Sequence, residues 1–368
     1  MSNSVRTIGI LGLGNVAEPH LLSYRSLSCV KVIAVVDPRA DRLDEICRRY
    51  ALEGFSSAQA MLDAGCPDIV CILTPAQTHR PLVEMCASAG AHILCEKPMA
   101  VTLEDAAAMA EGCRRASVEF FYGSSYRYLP AVQEAKTLIA SGAIGNPRVV
   151  IEEMLGGEGA SAYRPLSAAH YPQDGPGGGG YGLVDHGIHM LDVFPWLCDS
   201  SIERVFGRGD RTGHEPRTEF AHLQMRNGAT GILIYDGSTR PAVLPSAGVF
   251  SEAGTWIDGR GWMGDAGEWD SGAGNIRVYG TEGSLQIFHY ANKLLLNRSG
   301  QPEERRLPAG TAPYHFGAQM RAFCASLDRG EAVPTSASDG IRALRGLLGI
   351  YASESSGTWE NLPEFMVF

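Results

Sequence analysis

The chain has 368 residues, 45% hydrophobic and 20% charged, a balance that suits a soluble globular protein of two domains. Its formal net charge of -10, with no basic cluster interleaved with aromatics, argues against a nucleic-acid surface. The longest apolar runs, such as Ile69-Val70-Cys71-Ile72-Leu73, are strand-sized, so no membrane span is expected, and no secretory signal is visible at the start of the sequence.

The first 123 residues alternate strand and helix patterns. Strands are expected at 7–11, 30–36, 68–73, 92–95 and 118–123, with helices at 17–27, 39–50, 78–89 and 103–116. The strands are apolar without polar alternation, which fits a parallel sheet covered on both faces. Short connections then imply a doubly wound α/β fold.

Gly12-Leu13-Gly14-Asn15-Val16-Ala17 follows the first strand and opens a helix, a G-x-G-x-x-A pattern in the required context. Gly12 permits the tight turn, Gly14 lets the backbone approach a pyrophosphate, and Ala17 allows close helix–strand packing. The helix N-terminus adds free N–H groups and a partial positive charge. The second strand ends in Asp37, which can accept hydrogen bonds from adenosine ribose hydroxyls and favours NAD. Arg39 leaves NADP open, and Asp37 could instead cap the next helix. The strand at 68–73 runs into Thr74-Pro75, then Thr78-His79. Strand C-termini line the ligand crevice of such sheets, so Thr74 and Pro75 are expected to border the cofactor. His79 is either a second cofactor neighbour or a surface histidine at a helix start.

The strand at 92–95 ends in Glu96-Lys97-Pro98. Only four of the 31 basic residues are lysine: Lys31, Lys97, Lys136 and Lys293. A lysine kept among so many arginines suits a compact head group whose proton can move. The alternative is a solvated Glu96–Lys97 loop pair. The nine cysteines are scattered and include no C-x-x-C pair, so neither a disulfide framework nor a metal site is expected, and a cytoplasmic location follows.

The pattern changes near Arg127. A helix at 129–140 and a strand at 147–154 precede a loop, 156–180, rich in glycine, proline and serine. A helix at 182–197 then sets Asp185 and His189 four apart, on one face. A histidine beside a carboxylate can shuttle a proton near neutral pH; a hydrogen-bonded core histidine is the competing reading. His186 is expected to point elsewhere and Asp192 to be structural. Strands at 219–225, 230–236, 242–250, 275–280, 284–289 and 294–297 read as an antiparallel sheet. The stretch 251–274 carries seven glycines with Trp256, Trp262 and Trp269 and reads as a long loop. Helices at 316–329 and 338–353 close the chain. The expected division is 1–125 for the dinucleotide domain and 126–368 for a substrate and oligomerisation domain, the last helix returning towards the first domain.

The Gly12 turn, Thr74-Pro75 with His79, Glu96-Lys97-Pro98, Tyr126-Arg127-Tyr128-Leu129-Pro130 and Asp185 with His189 together resemble, in order, the Gfo/Idh/MocA oxidoreductases. The resemblance spans nearly the whole chain. It implies a Rossmann domain followed by an α/β domain on a large, mainly antiparallel open sheet. It also implies a nicotinamide cofactor and a sugar, sugar acid or cyclitol substrate. By the same resemblance Lys97 hydrogen-bonds the reacting oxygen, His189 is the general base, and Asp185 orients substrate or base. The chemistry agrees: oxidising a secondary alcohol takes a proton from oxygen while a hydride leaves carbon, so a base and a cation belong at that hydroxyl.

Two positions depart from the family pattern. Ser125 stands where asparagine is frequent near the nicotinamide, and Tyr163-Arg164 stands where Trp-Arg precedes the glycine run. Glu96 and Ser125 are further expected cofactor neighbours. Arg127, Tyr163, Arg164 and Tyr181 are candidate substrate contacts. The expected activity is an NAD(P)-dependent dehydrogenase. The alternatives are a redox-neutral glycosidase or lyase that retains its NAD, and a non-enzymatic sensor of a dinucleotide and a sugar. An open, apolar sheet face implies a homodimer or homotetramer.

Overall fold

The computed structural model describes residues 5–155, 182–212, 215–236, 275–289, 292–298, 300–307 and 314–363. The chain divides into two units, Met1–Ser125 with Ala312–Ile341, and Tyr126–Thr311 with Arg342–Phe368.

The first unit holds β1 (Arg6–Leu11), α1 (Ala17–Arg25), β2 (Val30–Val36), α2 (Ala40–Tyr50), β3 (Glu53–Phe55) and α3 (Ala58–Ala64). These are followed by β4 (Ile69–Ile72), α4 (His79–Ser88), β5 (His92–Cys95), α5 (Leu103–Arg115) and β6 (Phe120–Tyr122). The six strands form one sheet in the order β3-β2-β1-β4-β5-β6, parallel throughout. All four residues of β4 are buried, as expected of a strand covered on both faces. Helix starts follow side-chain chemistry: Ser57 accepts the Ala60 N–H before α3, and Thr102 accepts the Asp105 N–H before α5. The short β3 and α3 carry too few periodic residues to stand out in the sequence. The segment that returns to this unit is α8 (Tyr314–Arg329), whose Phe316 lies 4.0 Å from the His20 ring and whose Phe323 lies 4.8 Å from Phe121. Beyond it, Thr335 accepts the Tyr122 N–H at the β6 edge.

The second unit opens with α6 (Pro130–Ala140) and β7 (Pro147–Leu155). A π-helical turn, Gly182–Gly187, leads into α7 (Ile188–Cys198). Then come β8 (Ile202–Thr212), β9 (Glu215–Met225), β10 (Thr230–Asp236), β11 (Asn275–Gly280), β12 (Ser284–Phe288), β13 (Lys293–Asn297) and β14 (Pro302–Arg306). Helix α9 (Ala337–Ser356), which begins in the first unit, and β15 (Glu360–Asn361) finish the described chain. The sheet runs β14-β13-β12-β11-β7-β10-β9-β8-β15, antiparallel except between β7 and β10. Its strands alternate: Leu233 and Tyr235 are buried, whereas Ile232 and Ile234 are half-exposed. The buried face packs against α7, where Phe194 closes on Gly231 of the sheet.

The expected regular helix over 182–197 is corrected in its first turn, which is π-helical. β8 and β14 were not expected as separate strands; their charged and glycine residues mask the alternation. Tyr163, Arg164, Tyr181, the expected strand at 242–250 and the Trp-bearing stretch 251–274 lie outside the described residues. Among the described residues no helix is long and apolar enough to cross a membrane.

Candidate active site

In the first unit the expected cofactor residues gather at the carboxyl edge of the sheet. Gly12 has φ +90°, and a Cβ there would lie 2.9 Å from both Leu73 O and Thr74 Cγ2, so only glycine fits this crossing of β1 and β4. A Cβ on Gly14 would meet nothing within 4 Å, the open approach a pyrophosphate needs. Asn15 is exposed and Val16 half-buried, with Ala17 buried at the start of α1.

Asp37 ends β2 as the pattern requires. Its Oδ2 accepts the Leu13 N–H at 2.8 Å, tying the strand end to the glycine turn. Arg39 donates to it from Nε at 2.9 Å and from a terminal nitrogen at 3.0 Å, while the Arg39 side chain stays 58% exposed. Burial raises the Asp37 pKa, but the guanidinium and the Arg39 and Leu13 N–H groups outweigh it and hold the carboxyl below its usual range. Asp37 is therefore joined to the glycine turn as well as to the start of α2.

His79 is fully buried, not at the surface. Its Nε2 lies 2.7 Å from Thr74 O and its Nδ1 3.0 Å from Met99 O and 3.2 Å from Cys95 Sγ. Burial lowers its pKa, so the ring is neutral. The shortest contact assigns its proton to Nε2, donating to Thr74 O. His79 thus ties the Thr74 carbonyl to the end of β5, where the Cys95 thiol can donate to Nδ1. Thr78 donates its hydroxyl to Thr74 Oγ1 at 2.8 Å and stiffens the same corner.

Glu96 and Lys97 do not form a solvated pair. Glu96 is 6% exposed; its Oε1 is 3.0 Å from Nε2 of His20 and its Oε2 accepts the Lys97 N–H at 3.0 Å. His20 in turn meets the Tyr24 hydroxyl at 2.6 Å. The chain His20–Glu96–Lys97 backbone fixes where the half-buried lysine leaves the sheet edge. Ser125 is buried at the last residue of this unit's first segment.

In the second unit, Asp185 is half-buried in the π turn and His189 lies one turn on, in α7. The His189 ring stacks on Tyr126 at 3.8 Å and 3°. Glu219 accepts the N–H groups of Gly182 and Leu183 at 2.7 and 2.9 Å, and Tyr351 donates to its other oxygen at 3.1 Å. A buried carboxylate at a helix start satisfies donors that the turn leaves open. A Cβ on Gly182 would lie 2.4 Å from Tyr235 Cβ, so the turn can press against β10 only there. Arg127 forms a buried ion pair with Asp192 and lies over the Trp196 ring at 5.6 Å, which makes it a brace between the 125–128 turn and α7.

The His186 ring is buried, 6.4 Å from that of His189, and both rings lie against Tyr126. Its Nε2 is 2.9 Å from Glu152 Oε1, and the Tyr235 hydroxyl donates to Glu152 Oε2 at 2.7 Å. Burial alone would raise the Glu152 pKa, but His186 and the Tyr235 hydroxyl hold it below the usual carboxylate range. Sequence reasoning missed Glu152, Glu219 and Tyr235. Glu152 had a signal: it shares the inward register of β7 with Val150, where an acid is out of place.

Comparison with known proteins fits these two units. The model described as "Oxidoreductase family, NAD-binding Rossmann fold" matches residues 6–124, and that of the GFO/IDH/MocA C-terminal domain matches 132–286. A D-apiose dehydrogenase of Paraburkholderia graminis is 37% identical over 192 residues, 51% of this chain and 48% of that protein. A myo-inositol 2-dehydrogenase of Thermotoga maritima is 27% identical over 241 residues, 63% of this chain and 68% of that protein. The chain thus spans from about half to two thirds of the curated relatives it matches. A solved levoglucosan dehydrogenase in complex with NADH and levoglucosan superposes with a TM-score of 0.81 at 20% identity, covering 98% of this chain and all of that one, a likeness of fold. With both of its domain models matched in order along one chain, the protein belongs to the Gfo/Idh/MocA oxidoreductase family.

Proposed function

We propose that the protein is an NAD-dependent dehydrogenase that moves a hydride between a secondary hydroxyl of a sugar, sugar acid or cyclitol and nicotinamide. One observation carries this reading: the Glu96–His20 contact fixes Lys97 on the sheet edge that also bears the Gly12 turn and Thr74-Pro75. Residues Gly12, Gly14, Asp37 and Thr74 are the proposed holders of the dinucleotide, which supplies the hydride acceptor when bound. Lys97 donates a hydrogen bond to the substrate oxygen and steadies the negative charge that grows there. His189 takes the hydroxyl proton. Asp185, four residues before it, orients the substrate or the base. The names of the matched relatives, acting on apiose and inositol, support a polyol substrate.

The first test is nicotinamide reduction against a panel of sugars, sugar acids and inositols. Reduction of NAD by one polyol class is the expected result. Substrate turnover with release of an aglycone and no net NADH would replace this reading with a redox-neutral one.

Asp37 carries the cofactor preference. Its carboxylate is the proposed acceptor for the ribose hydroxyls, and its pairing keeps Arg39 engaged. Asp37→Ser should raise KM for NAD by about tenfold or more, the loss of a hydrogen bond to a charged group, and should narrow the NAD to NADP ratio. An unchanged ratio of kcat/KM values would remove Asp37 from this role.

The same reading includes a homodimer or homotetramer. Ile151, Phe220, Ile232, Ile234 and Leu295 are half-exposed on the outer face of the second unit's sheet, an apolar patch suited to a second copy.

A further inference from the structure

We propose that Glu152, His186 and His289 form a binding site for a divalent first-row transition-metal ion inside the second unit. One ligand atom from each lies within 4.8 Å of the other two, and all three side chains are buried. The residues come from β7, the π turn and the residue after β12. Sequence spacing cannot show such a set, and the absence of paired cysteines says nothing about it.

The donor set is chemically selective. Two imidazoles and one carboxylate suit zinc and its neighbours, whereas magnesium and calcium prefer oxygen ligands. Bonds of about 2.0–2.2 Å put ligand atoms roughly 3–4.4 Å apart. Glu152 Oε1 and His186 Nε2 are already 2.9 Å apart, so closure needs only a small side-chain shift. The backbone behind them is stiff. Ile276 of β11 pairs with both Glu152 and Ile287, and His289 follows Ile287 by two residues, in the same inward register.

The surroundings also fit. The Tyr235 hydroxyl donates to the second Glu152 oxygen at 2.7 Å, leaving Oε1 turned to the histidines. Tyr126 lies with its hydroxyl 3.4 Å from His186 Nδ1, so both ring nitrogens have a neighbour that sets the ring's orientation.

The consequence is local. An ion on His186 would pin the π turn that carries Asp185 and leads to His189, whose ring lies 6.4 Å from that of His186. π turns are frequent at functional sites and need outside support.

The test uses the full chain, stripped with a chelator and dialysed, then titrated with Co²⁺, Zn²⁺ or Mn²⁺. The expected result is one equivalent of Co²⁺ per chain with a visible absorption band, displaced by Zn²⁺, and a rise in Tm. Glu152→Gln keeps the shape and removes the charge, and should abolish the band; Tyr235→Phe should weaken binding by about 10- to 100-fold. Far-UV circular dichroism and NAD binding report whether each variant folds. Wild-type protein that retains no ion after dialysis and shows neither band nor Tm change overturns the site, whatever the variants do, and leaves a hydrogen-bonded polar core. Equal Co²⁺ binding by wild type and a folded Glu152→Gln overturns it too. Neither outcome depends on dehydrogenase activity.

Discussion

Replacing Lys97 with methionine is expected to lower kcat by about a hundredfold to a thousandfold, the usual cost of removing a donor aimed at a developing oxyanion. NAD binding should stay within about twofold and Tm should hardly move, because methionine fills a similar volume. The geometry explains the split. The Lys97 backbone is held by Glu96, and Glu96 by His20, so the loop keeps its path when the ammonium is gone. The cofactor turn at Gly12 rests on β4, independent of the lysine head group. Lys97→Arg should not restore the rate. A guanidinium is planar and broader, and it cannot present the same point charge from a fixed backbone. Two of the other three lysines show what a structural role looks like: Lys136 donates to Trp196 O, and Lys293 lies 4.7 Å from the Phe288 ring centre. Steady-state kinetics on the polyol found by the panel gives the answer. A Lys97→Met enzyme with wild-type kcat would sink the proposed role.

Local patterns were legible in the sequence and distant partnerships were not. The Gly12 turn could be read because one strand–turn–helix needs particular residues at fixed spacing. Its crossing partner Leu73, where a Cβ would strike backbone, is a fact of strand order. The spacing of Asp185 and His189 was legible because it is local in the sequence. The π turn was not, since nothing in Gly182-Leu183-Val184-Asp185 signals an extra residue per turn; Glu219, 37 residues from Gly182, supports it. The same limit hid Glu96 and His20, which are 76 residues apart. His79 could be read either as a cofactor neighbour or as a surface residue, because it begins a helix. It is buried because the helix start faces the loop after β5, and only the stacking of β4 beside β5 shows that. Buried polar pairs are cheap in a fold only when both partners arrive, and sequence order does not say which will meet.

His189 gives the second large effect. His189→Ala is expected to lower kcat by about a hundredfold to ten-thousandfold, the range for loss of a positioned general base. Added imidazole should restore part of the rate, because the stacked ring leaves a flat gap against Tyr126. Tyr126→Ala should act through the same ring, lowering kcat less and leaving the imidazole effect absent. A histidine that only filled space would lower Tm when removed and would not answer to imidazole. The decisive form is the double variant. Lys97 belongs to the first unit and His189 to the second. If both act on one hydroxyl in one transition state, losing either disables the step and losing the second adds little. Lys97→Met with His189→Ala should then fall far short of the product of the single losses. Full multiplication of the two effects would mean that each works in a separate event, and the proposal that both serve one hydroxyl would fall with it.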